Sequence, residues 1–180
     1  MFFFEVYLDR IIKYDLINTF FYQNLIKIPT LKKITLNFGY QKSNFKHFIS
    51  GLLALDFISS KKGKITKSKH LNVFLKIKKG HPVGCAVVLE KNTMYFFFLK
   101  LLTSIFKKTK QPHMAQLKWD IKLIKSISFQ LKNPILFTEL ENQFQFFKDI
   151  PQLGVTLLTT SQSQKELTFL LKSIKFFQHI

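Results

Sequence analysis

Apolar residues at Val6, Leu8, Ile11, Ile12, Leu16, Ile17, Phe20 and Phe21 recur close to helical spacing. They predict a helix within residues 5–26, which Pro29 stops because proline has no N–H to continue it. The period then changes. In "KKITLNFG", Lys32–Gly39, Ile34, Leu36 and Phe38 fall on one face of a strand and Lys33, Thr35 and Asn37 on the other. "NFKHFISGLLALDFIS", Asn44–Ser59, returns to helical periodicity. "SKKGKITKSKH", Ser60–His70, has no clear period and is basic, with small side chains. "LNVFLKIKKG" and "GCAVVLE" read as two strands of a hairpin, with Gly80, Pro82 and Gly84 bending the chain between them.

The second half is read the same way. "NTMYFFFLKLLTSIF" is a helix with Asn92 or Thr93 as its cap. Residues 107–125 are basic, contain Pro112 and show weak periodicity, so they are expected to form an extended arm. "SISFQL" and "PILFTEL" look like short strands, and "LGVTLLTT", Leu153–Thr160, is a clearer one. "SQSQKELTFLLKSIKFF" closes the chain as a helix capped by Ser161 or Ser163. Helices and strands mix without regular β-α-β alternation. The expected class is α+β: an antiparallel sheet with flanking helices and a projecting basic hairpin loop. No internal repeat or linker divides the sequence, so residues 1–180 are expected to form a single domain.

Composition narrows the partners. Lys and Arg total 28 against 10 Asp and Glu, a formal net charge of +18, and Arg10 is the sole arginine. A charge so far from neutral speaks for nucleic acid or an anionic membrane surface. Lysine supplies point charges for phosphates, whereas arginine makes the commonest bidentate contact to guanine edges. Folded RNA, recognised by backbone and shape, fits best. Phe (22 residues), Lys, Ile and Asn all have AT-rich codons, which accounts for part of the lysine excess and fits a small organellar genome. "MFFFEVYLDRIIKYD" has neither the acid-poor, Arg-rich character of a transit peptide nor a signal-peptide pattern. "MYFFFLKLLTSIF" falls short of the roughly 20 apolar residues needed to span a bilayer and contains Lys100. It reads as a buried helix.

Catalytic chemistry is hard to find. The acids Glu90, Glu139, Glu141, Asp149 and Glu166 show no paired spacing for acid–base work. His47, His70, His81, His113 and His179 have no partner at i, i+4, so no metal site is expected. Cys85 is the only cysteine, which excludes an intramolecular disulfide, and it reads as a small core residue. "KKGK", Lys61–Lys64, lacks the spacing of a nucleotide-binding loop. The expectation is no enzyme, no cofactor and no metal. Phenylalanines within 95–98 and 144–147 are candidate stacking platforms for bases, with core packing the commoner role at such spacing.

Four blocks in order carry a resemblance: "IPTLKKITLNFG", Ile28–Gly39; "ISSKKGKITKSK", Ile58–Lys69; "LKIKKGHPVGCAVVL", Leu75–Leu89; and "GVTLLTTSQSQKE", Gly154–Glu166. Together they resemble the 5S-rRNA-binding protein of the large ribosomal subunit, the fifth in its bacterial series, from about Tyr7 to Phe177. The resemblance implies a structural protein of the central protuberance, in an organellar version, mitochondrial and residing in the matrix, with a plastid as the alternative. It implies rRNA contacts at Lys33, Thr35, Asn37, Lys61, Lys62, Lys64, Thr66, Lys67 and Lys69, to 5S rRNA if present or to large-subunit rRNA. It also implies a loop near the peptidyl-site tRNA formed by Lys76, Lys78, Lys79, Gly80, His81, Pro82 and Gly84. Neighbouring ribosomal proteins, with a possible small-subunit bridge, are the remaining implied partners, and no membrane is among them. Three departures stand out. Lys61, Lys62 and Gly63 replace the family's Gln-Lys-Pro, Val88 replaces a polar Thr, and no glycine lies between Gly84 and Gly154 where the family has a glycine-rich arm. The alternative reading from another class is a peripheral membrane protein docking basic amphipathic helices on anionic lipid.

Overall fold

The structure is a computed structural model that describes residues 3–40, 45–106, 120–123 and 125–174. Its strands are β1 (Leu31–Gly39), β2 (Lys64–Lys67), β3 (Pro82–Leu89), β4 (Asp120–Leu123), β5 (Ser126–Leu131) and β6 (Leu153–Thr159). They form one sheet in the order β2-β3-β1-β6-β5-β4. β2 pairs antiparallel with β3, and β4 with β5. With helices flanking this antiparallel sheet, the fold is α+β. The chain divides into two compact units, Met1–Ile34 with Glu90–Phe129 and Thr156–Ile180, and Thr35–Leu89 with Gln130–Val155.

In the first unit, the N-terminal helical segment runs as α1 (Phe3–Tyr7), a π-helical turn (Leu8–Ile12) and α2 (Lys13–Phe20). It ends well before Pro29. Phe21 takes a left-handed conformation (φ 46°) and donates its N–H to the Ile17 carbonyl at 3.1 Å, which closes the helix. A 3-10 turn, Leu25–Lys27, follows where helix was expected. Helix α4 (Lys91–Lys100) buries Met94, Phe97 and Phe98. Its cap position is Glu90, not Asn92 or Thr93; both of those lie inside the first turn, and the Thr93 hydroxyl donates to the Glu90 carbonyl at 2.8 Å. Helix α7 (Gln164–Ser173) starts at a capping box. Ser163 Oγ accepts from the Glu166 N–H at 3.2 Å, and Glu166 Oε2 accepts from the Ser163 N–H at 3.3 Å. Leu16, Leu167, Leu170 and Leu171 are buried where α2 and α7 pack together.

In the second unit, α3 (Phe45–Ser59) lies against β2 and β3 and buries Phe48, Ala54, Leu55 and Ile58. "PILFTEL" is not a strand. It forms a 3-10 turn, Pro134–Leu136, and the short helix α5 (Thr138–Glu141). Proline at the first turn presets its φ, and Pro134, Phe137 and Leu140 bury at a spacing of three, which a strand's alternation would split between its two faces. A second short helix, α6 (Phe144–Phe147), packs against α3, and the Phe57 and Phe147 rings meet edge to face at 5.9 Å. Of the expected arm, residues 107–119 and 124 lie outside the described residues, and β4 occupies 120–123. Among the described residues no helix is long and apolar enough to cross a membrane.

Candidate nucleic-acid interface

The hairpin that carries the basic residues is built from β2 and β3, with residues 68–81 connecting them. The expected strand over 71–80 does not form. Its side chains are exposed apart from the half-buried Ile77, so no buried face fixes an alternating register. A tight turn forms in its place. Asn72 and Ile77 bridge through both N–H groups, and Asn72 Oδ1 accepts from the Leu75 N–H at 3.3 Å. Lys76 has a positive φ of 53°, and the turn apex is apolar, with Phe74 99 % exposed. Gly80 has φ 86°, a conformation that a side chain would strain, and its N–H donates to the Ser68 carbonyl.

The register shows which residues share a face. Lys64 stands opposite Ala86 and Thr66 opposite Gly84, while Ile65 stands opposite Cys85. Antiparallel partners project to the same side, so Lys64, Thr66, Gly84 and Ala86 line one face and Ile65 and Cys85 the other. Gly84 is required on this face. A Cβ there would collide with the Phe38 carbonyl and come within 3.0 Å of Thr66 Oγ1. Along β1, Leu36 and Phe38 are buried and Asn37 is exposed, as alternation predicts; Thr35 is half-buried. Lys33, which belongs to the first unit, is half-buried on the alternate side from Ile34.

The remaining predicted residues lie just before β2, at its end and in the connection to β3. Lys61, Lys62, Lys67 and Lys69 are exposed. Lys61 Nζ donates to the Val88 carbonyl at 2.8 Å. Two of the positions where the chain departs from the family pattern are therefore joined to each other. Gly63 donates its N–H to Asp56 Oδ1 at 2.9 Å, which pins the start of β2 to α3. Lys76, Lys78, Lys79, Gly80 and His81 are exposed in the connection, while Pro82 and Gly84 belong to β3. Between Asp56 and Glu90 the chain has eight lysines and no acid. Nothing in the hairpin's own sequence neutralises that charge.

Sequence reasoning missed a neighbouring polar depression in the same unit, lined by Asn37, Tyr40, His47, Gln130, Gln152 and Gly154 among others. Only Asn37 of these was singled out, because the others are scattered over five segments with no local pattern. The Tyr40 hydroxyl is buried without a hydrogen-bond partner, and burial raises its pKa, with Cys85 adding to the effect. Cys85 is buried, its Sγ lies 3.6 Å from the Phe48 carbonyl, and desolvation pushes its thiol pKa up to about 11. That suits a core residue and not a nucleophile. Phe97, Phe98 and Phe147 are likewise core, whereas Phe96, Phe144 and Phe146 are exposed. Among the described residues no cluster of His, Cys, Asp or Glu is placed to hold a metal ion.

A small α+β protein with a lysine-rich, acid-free hairpin on its sheet is the class that the fold and this segment define. The chain is 30 % identical over 169 residues to the large ribosomal subunit protein uL5m of Reclinomonas americana, covering 93 % of this chain and 92 % of that one. It is 32 % identical over 161 residues to uL5 of Wigglesworthia glossinidia brevipalpis (88 % and 89 % covered). Against uL5 of Nitrosomonas europaea it is 29 % identical over 175 residues (96 % and 95 %). No family model matches the chain. The chain belongs to the uL5 family of large-ribosomal-subunit proteins.

Proposed function

We propose that this structural constituent of the large ribosomal subunit is a non-catalytic rRNA-binding protein of the central protuberance. It holds 5S rRNA, or neighbouring large-subunit rRNA where the organelle has no 5S species. The contacts run through Lys33, Thr35 and Asn37 on β1 and through Lys61, Lys62, Lys64, Thr66, Lys67 and Lys69 on and around β2. The β2–β3 connection, with Lys76, Lys78, Lys79, Gly80 and His81, approaches the peptidyl-site tRNA, and Pro82 and Gly84 root it in β3. The mitochondrial matrix is its compartment, a reading supported by the codon-biased composition and the similarity to a uL5m protein.

The observation that carries this reading is the run of eight lysines without an acid between Asp56 and Glu90, six of them on the β2–β3 hairpin. Lysines beside Gly84, Ala86 and Thr66 leave a low surface on which a phosphate backbone reaches the strand. The test is recovery of RNA with the purified full chain at physiological salt. Enrichment of 5S or large-subunit rRNA over unrelated RNA is expected. Recovery of neither, or stable binding to anionic vesicles without RNA affinity, refutes the reading.

A further inference from the structure

The polar depression beside Asn37 lies wholly in the second unit and differs in kind from the lysine-rich hairpin. It holds about 660 Å³, and among the described residues one acid, Asp149, and no lysine line it. β1, β6 and β5 are neighbours in the sheet, so Asn37 on β1 and Gln130 on β5 stand on either side of β6. There, residue 154 is glycine. A Cβ at 154 would lie 3.9 Å from the Asn37 Cβ, on the same face, so its absence opens the space between the two amides. Strands about 4.8 Å apart make that gap on the order of 10 Å. Gln152 adds a third amide, and the Tyr40 and His47 rings, 6.3 Å apart, add aromatic surface. The side chains of Asn37, Gln130, Gln152 and Asp149 are exposed and hold no hydrogen bond or ion pair with any described residue.

We propose that this depression takes the unstacked base of a guanine nucleotide in the bound RNA, an inference that rests on the rRNA reading above. A phosphate entering here would meet the Asp149 carboxylate and no lining lysine, so charge repels it. What enters must bring N–H donors instead. An ionised carboxylate only accepts hydrogen bonds. Guanine alone offers two adjacent donors on its Watson–Crick edge, N1–H and the N2 amino group. Adenine N1 and cytosine N3 are acceptors that Asp149 repels, and uracil offers a single donor. The three amides donate and accept, and so can pair with the remaining edge of the base. Aromatic surface with polar groups at a base edge is how proteins read splayed-out RNA nucleotides. Lys46 and Lys148 are exposed and next in sequence to His47 and Asp149, yet outside the lining. Cations are thus at hand for the phosphate without occupying the space of the base.

Kethoxal, which reacts at guanine N1 and N2, tests this on 5S and large-subunit rRNA with the purified full chain. The wild type is expected to protect at least one unpaired guanine that Asp149→Asn leaves reactive. Removing an acid raises the formal charge by one, which would strengthen binding driven by phosphates alone. The proposal requires the opposite sign. Asp149→Asn is expected to weaken rRNA affinity about tenfold, with the salt dependence and the melting temperature unchanged. Inosine in place of the protected guanine lacks the N2 amino group; it is expected to weaken the wild type and to weaken Asp149→Asn no further. Gly154→Val fills the space beside Asn37 with a residue suited to a strand, and is expected to lose the same protection without unfolding. Unchanged or tighter binding by Asp149→Asn overturns the proposal. So does the same kethoxal pattern for all three proteins, or an equal inosine effect on wild type and Asp149→Asn. If the rRNA reading itself fails, neither the wild type nor the variants retain rRNA. If this inference alone fails, rRNA is retained and lysine variants on β2 weaken it, while those at Asp149 and Gly154 do not.

Discussion

Tyr40 shows what a single residue costs this fold. Its ring stands edge to face with Phe48 at 5.0 Å, while its hydroxyl is buried without a partner. The ring fits because residue 51 is glycine; a Cβ there would collide with the Tyr40 hydroxyl. Burying an unpaired hydroxyl costs about 1–3 kcal/mol, and removing it keeps the ring packing. Tyr40→Phe is therefore expected to stabilise the isolated protein by about 1 kcal/mol in urea unfolding, and Gly51→Ala to destabilise it. Cys85 gives a pH-dependent counterpart. Its thiol is raised from 9.0 to about 11 by desolvation, so the folded state disfavours the thiolate. The associated stability is fully present below pH 9 and is lost as pH rises from 9 towards 11. Native protein should resist alkylation by iodoacetamide at pH 8, and denaturant should release the reaction. Rapid labelling of the folded chain would contradict the burial.

At the scale of elements, periodicity was legible wherever one face is buried. β1, β5, β6, α3 and α7 stand where alternation or helical spacing put them, since each packs a continuous apolar side. The readings that failed lack that side or are very short. Residues 71–80 have no buried face, and "PILFTEL", which buries Pro134, Phe137 and Leu140, is too short a run to fix a period from sequence. The pairing of β2 with β3 was invisible because "KITK" is exposed at three of its four positions and looks like solvated charge. The lysines of the candidate interface were legible as a set; the apolar apex at Phe74 was not, because "LNVFL" mimics a strand. The α7 cap gives an element-level test. Ser163→Ala removes the acceptor for the Glu166 N–H and is expected to cost about 1 kcal/mol, a fall of about 2–4 °C in melting temperature for a chain of this size. The connection between β2 and β3 gives another. Lys78→Glu with Lys79→Glu should weaken tRNA-dependent activity of the ribosome and leave subunit assembly intact, because both side chains are exposed and hold no strand in place. Assembly failure in that double variant would make the connection architectural.

For the molecule as a whole, the question is whether +18 acts as a diffuse cloud or through a site. Net charge alone attracts any polyanion, and lysines spread over a surface then contribute alike. A site makes particular lysines count. Each phosphate neutralised releases counterions, so the logarithm of affinity falls with the logarithm of salt by about 0.7–0.9 per contact. Lys62, Lys64 and Lys67 are exposed on and beside β2, whereas Lys165 and Lys172 are exposed on α7. Replacing the first three with alanine should reduce the steepness of that salt dependence by about 2 to 3 on large-subunit rRNA. Replacing Lys165 and Lys172 should leave it where it was, although the formal charge drops by two. Filter binding between 50 and 200 mM salt, about a fourfold span over which several phosphate contacts change affinity by orders of magnitude, resolves the two slopes. Equal loss per lysine removed, whichever element bears it, would mean that the positive charge acts without an address and that the β2–β3 hairpin is not the rRNA-binding surface.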